Sequence, residues 1–220
     1  MKKISTTTLL FIICFGLAAQ YKKASFFGKE GRTYGIGSQL YALGDGKGSP
    51  IGFAVTFGRD REGKQFFSSW ELQYLPSYKF SFETTDYNDE PITVNGAAKA
   101  HLIYAVNYGY HLLKNEEDKK IKPYVSAGFN IVMMGGIKSD NNNSYDNKKV
   151  LGSQTFSAGL KGGVGVFYNF SPKFSLKLDG GYNYQFNMDI DEGGDYTNYF
   201  LFTSHPYVSA GIRFRLTREE

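Results

Sequence analysis

Along most of the chain, apolar and polar residues alternate one by one. From Phe174 to Asn187 the even positions carry Phe174, Leu176, Leu178, Gly180, Tyr182, Tyr184 and Phe186. The odd positions carry Ser175, Lys177, Asp179, Gly181, Asn183, Gln185 and Asn187. A strand sends successive side chains to opposite faces, so one face here is apolar and aromatic and the other hydrophilic. A helix would scatter both sets around its circumference. The segment reads as a strand.

The same period predicts seven more strands, near residues 33–43, 51–59, 66–80, 98–113, 123–134, 155–170 and 200–216. The second puts Ile51, Phe53, Val55 and Phe57 on one face, and the third Trp70, Leu72 and Tyr74 opposite Glu71 and Gln73. The fourth lines up Leu102, Tyr104, Val106, Tyr108, Tyr110 and Leu112. In the last, Phe200, Phe202, Val208, Ala210, Ile212, Phe214 and Leu216 oppose Thr203, Ser209, Gly211, Arg213 and Arg215. These strands exceed the usual ~5–6 residues. Their connections alternate too. Short turns near 60–65, 114–122 and 171–173 alternate with the polar stretches 44–50, 81–97, 135–154 and 188–199. Short turns at one end and long loops at the other, on an even number of strands, are the habit of barrels that cross an outer membrane.

Which face turns inward decides between a soluble and a membrane barrel. Eight strands enclose an interior that side chains just fill. The apolar face carries bulky aromatics at nearly every position of the fourth and seventh strands, too much volume for that interior. The other face holds Gly, Ser, Asn and Gln with single charges, which fits. The fold class predicted is therefore all-β, an eight-stranded antiparallel up-and-down transmembrane barrel. Tyr34, Tyr74, Tyr78, Tyr110, Tyr124, Tyr168, Phe170, Tyr199, Phe200 and Tyr207 lie near strand ends and suit two interfacial girdles. A soluble, lipocalin-like ligand-binding barrel is the alternative with the faces exchanged.

The N-terminus carries a different signal. Met1-Lys2-Lys3 is a short positive region, and Leu9 to Ala19 is apolar and ends in small residues. It reads as a secretory signal peptide, residues 1–19, cut near Ala19-Gln20, with the barrel domain on 20–220. The run is too short to span hydrocarbon permanently, which takes ~20 apolar residues. Cleavage would take away Cys14, the chain's one cysteine, and with it any disulfide or thiolate metal centre. It would also take Lys2 and Lys3, lowering the formal charge of +4 by two. No dense Lys/Arg block points to nucleic acid.

Composition then falls into place. The 220 residues include 26 glycines, against an ordinary ~7%. Aromatics make up 17%, which excludes a disordered chain. A mean hydropathy of −0.36 excludes a bundle of membrane helices.

The segments Lys122-Pro123-Tyr124-Val125-Ser126-Ala127-Gly128-Phe129 and Pro206-Tyr207-Val208-Ser209-Ala210-Gly211-Ile212-Arg213-Phe214 resemble the small outer-membrane barrels of the OmpA/OmpX type. These are the "outer membrane protein beta-barrel domain", or porin-family, proteins of Gram-negative bacteria. The resemblance implies a place in the cell outer membrane, among outer-membrane lipid and lipopolysaccharide, with the barrel-assembly machinery as partner during insertion. The barrel itself would need no cofactor, because every backbone group is paired around the closed ring. Such barrels commonly end on an aromatic that this machinery reads, whereas here Thr217-Arg218-Glu219-Glu220 follow Phe214 and Leu216.

The polar face supplies the candidate chemistry. Glu71, Lys99, Lys161, Lys177, Asp179, Arg213 and Arg215 read as a structural charge network in the lumen, since buried charges require partners. The competing reading is a selectivity ring, but open aqueous channels take ~16 strands. His101, His111 and His205, with Ser204 and Ser209, raise the possibility of a lipid A-modifying enzyme. No nucleophile elbow accompanies them, and no catalytic residue is assigned. Asp189-Ile190-Asp191-Glu192-Gly193-Gly194-Asp195 resembles a calcium loop but lacks the distal glutamate, and no metal site is assigned. The expected role is structural or surface interaction through long external loops, with little or no pore.

Overall fold

Ten-residue strands β1 (Arg32–Tyr41), β2 (Ile51–Asp60) and β3 (Phe66–Leu75) form the first meander. A shorter pair, β4 (Tyr78–Thr85) and β5 (Pro91–Ala98), follows before β6 (His101–His111) and β7 (Ile121–Met134). The three-residue β8 (Ile137–Ser139) precedes β9 (Phe156–Asn169), β10 (Phe174–Asn187) and β11 (His205–Arg215). The computed structural model describes residues 31–85, 91–116, 118–135, 137–139, 156–187 and 202–216. Among them there is no helix long and apolar enough to cross a membrane.

Eight of these strands close a barrel in the order β1-β11-β10-β9-β7-β6-β3-β2, and β4-β5-β8 make a separate three-stranded sheet. Every barrel pair is antiparallel, and apart from the closing pair each joins barrel strands that succeed one another along the chain, with β4–β5 and β8 set aside. Closure comes from β1 against β11, with Ile36 opposite Ile212 and Leu40 opposite Val208. A closed ring leaves no unpaired edge, which is the condition for strands to lie in hydrocarbon.

The faces are arranged as the volume argument predicts. Ile36, Val164 and Val208 are 66%, 63% and 62% exposed on the outside, whereas Glu71 and Lys161 inside are 3% and 6% exposed. Outward residues of every barrel strand form one apolar belt, including Phe53, Phe66, Leu72, Leu160, Tyr184 and Phe186.

Three particulars differ from the sequence reading. The third strand does not run on to Phe80. It ends at Leu75, and residues 78–98, expected as mostly loop, form the β4–β5 hairpin. Leu75 and His101 are both buried, and so are Phe80, Phe82, Val94 and Ala98 across the two junctions. Even positions that pointed to lipid in β3 therefore point inward in β4. The reversal occurs across Pro76-Ser77 and across Lys99-Ala100. Proline lacks the N–H that a central ladder needs, so β3 stops there.

The second difference concerns aromatics. Tyr124 and Tyr207, expected in the girdles, are buried inside at 2% and 3% exposure. Their parity places them there, because Val125 and Val208 beside them face out. Glycines make the room: a Cβ added at Gly165 would fall 2.5 Å from the Tyr124 hydroxyl, and one at Gly163 would fall 2.5 Å from that of Tyr207. Tyr34, Tyr74, Tyr168 and Phe170 do face outward, and Tyr199 and Phe200 lie outside the described residues. The third is Phe202, expected on the outer face of the last strand. That strand begins only at His205, and Phe202 is buried before it.

The connection between β1 and β2 is tightly built. Gly44, Asp45, Gly46 and Gly48 all have positive φ, which three glycines adopt without a Cβ penalty. The loop docks on β4, where Ser81 N–H donates to the Gly46 carbonyl at 3.0 Å.

Candidate functional site

The lumen is a stack of side-chain layers. At the end where β1 begins and β11 finishes, Asp60 of β2 is almost fully buried and gathers four donors. Arg213 Nη1 and Arg215 Nη2 donate to its Oδ2 at 2.7 and 2.9 Å, and Asn115 Nδ2 to its Oδ1 at 2.7 Å. His111 Nε2 lies 3.1 Å from Oδ1. Lys122 Nζ extends the layer, donating to Asn115 Oδ1 at 2.7 Å. Arg213 also donates through Nε to Ser175 Oγ, and its guanidinium stacks 3.6 Å from the centre of the Phe167 ring.

Above this lies an aromatic layer of Phe67, Tyr124 and Phe167. Tyr124 and Phe167 stack at 4.6 Å, while Phe67 meets each edge-on. A Cβ at Gly109 would fall 2.0 Å from the tip of the Phe67 ring, so any larger residue there would have to displace that ring.

The next layer centres on Glu71. Lys177 Nζ bridges Glu71 and Asp179, at 3.0 Å from each, and Lys161 Nζ is 3.4 Å from Glu71. Gln73 Nε2 donates to Glu71, Tyr41 to Gln73, and Tyr124 to Asp179. The Lys161 ammonium sits 4.3 Å from the centre of the Tyr207 ring. Two carboxylates and two ammoniums make this layer neutral.

Toward the long-loop end, Asn130, Asn183, Gln185, Ser157 and His205 form a neutral hydrogen-bonded layer. An apolar cap closes the mouth: Tyr41, Leu43, Leu75, Ile103, Val132, Met134 and Phe202, with Tyr78 packed against them.

Six of the seven residues chosen for the charge network line the lumen, divided between two separate layers. Lys99 does not join them; it is exposed between β5 and β6. Asp60, Asn115 and Lys122 were not among the chosen residues. Parity could have found Asp60, which shares its face with the small residues Gly52, Ala54, Thr56 and Gly58.

Two of the three histidines are hydrogen-bonded. His205 Nδ1 faces the Thr203 carbonyl at 2.6 Å and Nε2 faces Asn183 at 2.9 Å. Ser204 Oγ accepts the N–H of Gln185. His111 is paired with Asp60, and His101 packs between Tyr78 and Phe202. Among the described residues no three His, Cys, Asp or Glu side chains converge as a metal site. The acidic stretch 189–195 lies outside the described residues, as do residues 1–30.

A ring with a hydrocarbon-compatible exterior and a hydrophilic, side-chain-filled interior defines a class: the membrane-spanning eight-stranded β-barrel. Among solved structures, the chain is similar to Neisserial surface protein A. The match has 15% identity over 86% of this chain and 99% of that one, with a TM-score of 0.49. It is also similar to Ail of Yersinia pestis (14% identity, 85% and 99% covered, TM-score 0.47). A third likeness is to the outer membrane enzyme PagL (13% identity, 84% and 99% covered, TM-score 0.39). No protein-family model and no curated protein matches the chain.

Proposed function

We propose that this chain is an outer-membrane barrel protein with a structural or surface-interaction role and little or no conductance. The observation that supports it is the combination of an exposed apolar belt with a lumen filled by two carboxylate-centred layers, an aromatic layer and an apolar cap. The belt requires lipid. Among the described residues, packed side chains fill the lumen, which argues against a wide water path. With an even strand number, the start of β1 and the end of β11 lie on the side of the short turns, which this reading assigns to the periplasm, with the β4–β5 hairpin on the outside. Secretion through the N-terminal peptide with cleavage near Ala19-Gln20, insertion by the barrel-assembly machinery and residence beside lipopolysaccharide belong to the same reading.

A non-catalytic role is favoured over lipid modification because His111 and His205 already serve structural partners and His101 is buried between Tyr78 and Phe202. A hydrolytic set needs a base within ~2.6–3.2 Å of its nucleophile. His205 instead faces Asn183 and a backbone carbonyl.

Planar-bilayer recording on refolded protein tests the closed lumen, with a flat baseline expected. Stable single-channel steps would make the chain a channel. Membrane fractionation tests the location: release by a salt wash without detergent would overturn the membrane reading.

A further inference from the structure

The aromatic layer does not cover the whole cross-section of the lumen. Phe67, Tyr124 and Phe167 come from β3, β7 and β9, and the facing wall of β2, β1 and β11 adds no ring to that layer. A cavity of about 50 Å³ lies along this wall, beside the small inward residues Gly37, Ala54 and Gly211. That is room for a few water-sized groups. The backbone keeps it open: a Cβ at Gly37 would fall 2.6 Å from the Ala210 carbonyl oxygen, and one at Gly211 would fall 2.7 Å from that of Ile36. Neither position can take a larger residue without moving a strand.

The cavity runs from Arg213 of the Asp60 layer to Lys177 and Glu71 of the next charged layer. Arg213, Gly35, Thr56 and Glu71 follow one another across the sheet in a single row, so the two layers meet the cavity from opposite sides. Its cations keep donors in reserve. Arg213 uses Nη1 on Asp60 and Nε on Ser175, which leaves Nη2. Lys177 uses one N–H on Glu71 and one on Asp179, which leaves a third. Thr56, Ser69 and Ser209 line the same space with hydroxyls whose protons rotate to suit. Glu71 also lines it, but its oxygens are already met by Lys161, Lys177 and Gln73.

The charges do not balance. Among the described residues, the two charged layers hold Lys122, Lys161, Lys177, Arg213 and Arg215 against Asp60, Glu71 and Asp179. Glu62, exposed on the turn after β2, adds its attraction to Lys122. One cation is still left over, and a protonated His111 would only enlarge the surplus. Inside a ring of hydrocarbon, an uncompensated charge is costly.

We propose that this cavity is a binding site for one small monovalent anion of the size of chloride, held between Arg213 and Lys177 over the bare backbone of Gly37 and Gly211. The guanidinium, the ammonium and the hydroxyls replace its hydration shell, and the ionised donors give the stronger bonds. The anion supplies the negative charge that the two layers lack. A halide thereby becomes part of the folded barrel.

The test uses the full chain refolded into lipid vesicles and unfolded in urea. Sodium chloride is compared at matched ionic strength with sodium gluconate, whose anion is too large for the cavity. Chloride raises the unfolding midpoint, and the rise follows the saturation of a single site. Thr56→Val removes one donor and raises the half-saturating chloride concentration about tenfold, the worth of one hydrogen bond to a charged group. Ala54→Leu fills the cavity with every charge in place, and its midpoints in the two salts coincide. Crystals grown in bromide give an anomalous peak beside Arg213. Equal midpoints in the two salts for the native chain, or bromide peaks at the surface alone, overturn the site. An Ala54→Leu chain that answers to chloride as the native chain does also overturns it, because the salt then acts elsewhere. Should that variant fail to refold, Thr56→Val and the bromide peak decide.

Discussion

Asp60 is one carboxylate answering to Arg213, Arg215, His111 and Asn115, with Lys122 behind Asn115. Its layer therefore holds more cationic groups than anionic ones, unlike the balanced layer around Glu71. Removing one partner of a buried ion pair strands the others without compensation, at a cost of about 3–5 kcal/mol. Asp60→Asn keeps the shape and removes the charge. It is expected to lower unfolding stability by that amount in urea titrations of the vesicle-reconstituted protein, and to slow refolding little. A change under about 1 kcal/mol would mean that water, not Asp60, neutralises the two guanidiniums. Tyr124 and Tyr207 carry the opposite lesson about reading a chain. Both are aromatic and near strand ends, which suggested the girdles, yet both have inward parity. Parity decided, because a strand cannot turn one side chain to its other face without slipping its whole register.

At the level of elements, strand identity and order were legible because a period of two, held over ten or more residues, has no competing helical reading. The ends were not. Apolar even positions continue from Trp70, Leu72 and Tyr74 to Phe80 and Phe82, so the pattern shows no break where the structure reverses. Only Pro76 marks it. The candidate site was legible in kind but not in grouping. Six of the residues lie in the lumen, but nothing local says that Arg213 and Arg215 belong to Asp60, over 150 residues away, while Lys161 and Lys177 belong to Glu71. The hairpin pairs within itself and with β8, while β3 and β6 pair directly below it. Replacing 78–98 by a short turn should thus leave the barrel intact. Far-UV circular dichroism should keep its strand signal, and the folded form should still run apart from the boiled form on a gel. Loss of both would show that the hairpin is needed to align β3 with β6.

For the whole molecule, the belt makes a demand that no soluble barrel would make. Val164 is 63% exposed near the middle of β9, opposite Val125 and Gly180. Val164→Arg should cost about 2–4 kcal/mol in vesicles, the usual penalty for a cation on the lipid face at mid-depth. On a water-exposed surface the same change stays within about 0.5 kcal/mol. Unfolding titrations of the two proteins in lipid vesicles separate the cases.

Two dipeptides, Pro76-Ser77 and Lys99-Ala100, mark where the chain changes solvent. Below them the polar residues are the hidden ones; above them the rule of ordinary water-soluble proteins returns. The two stretches therefore accept opposite kinds of substitution over evolutionary time. An insertion of one residue inside β3 would turn an entire strand inside out, whereas the same insertion beyond Ser77 meets a fold that already resets its faces there. The part displayed to the outside can be lengthened, exchanged or redecorated as a cassette, while the staves that hold it in the membrane stay as they are.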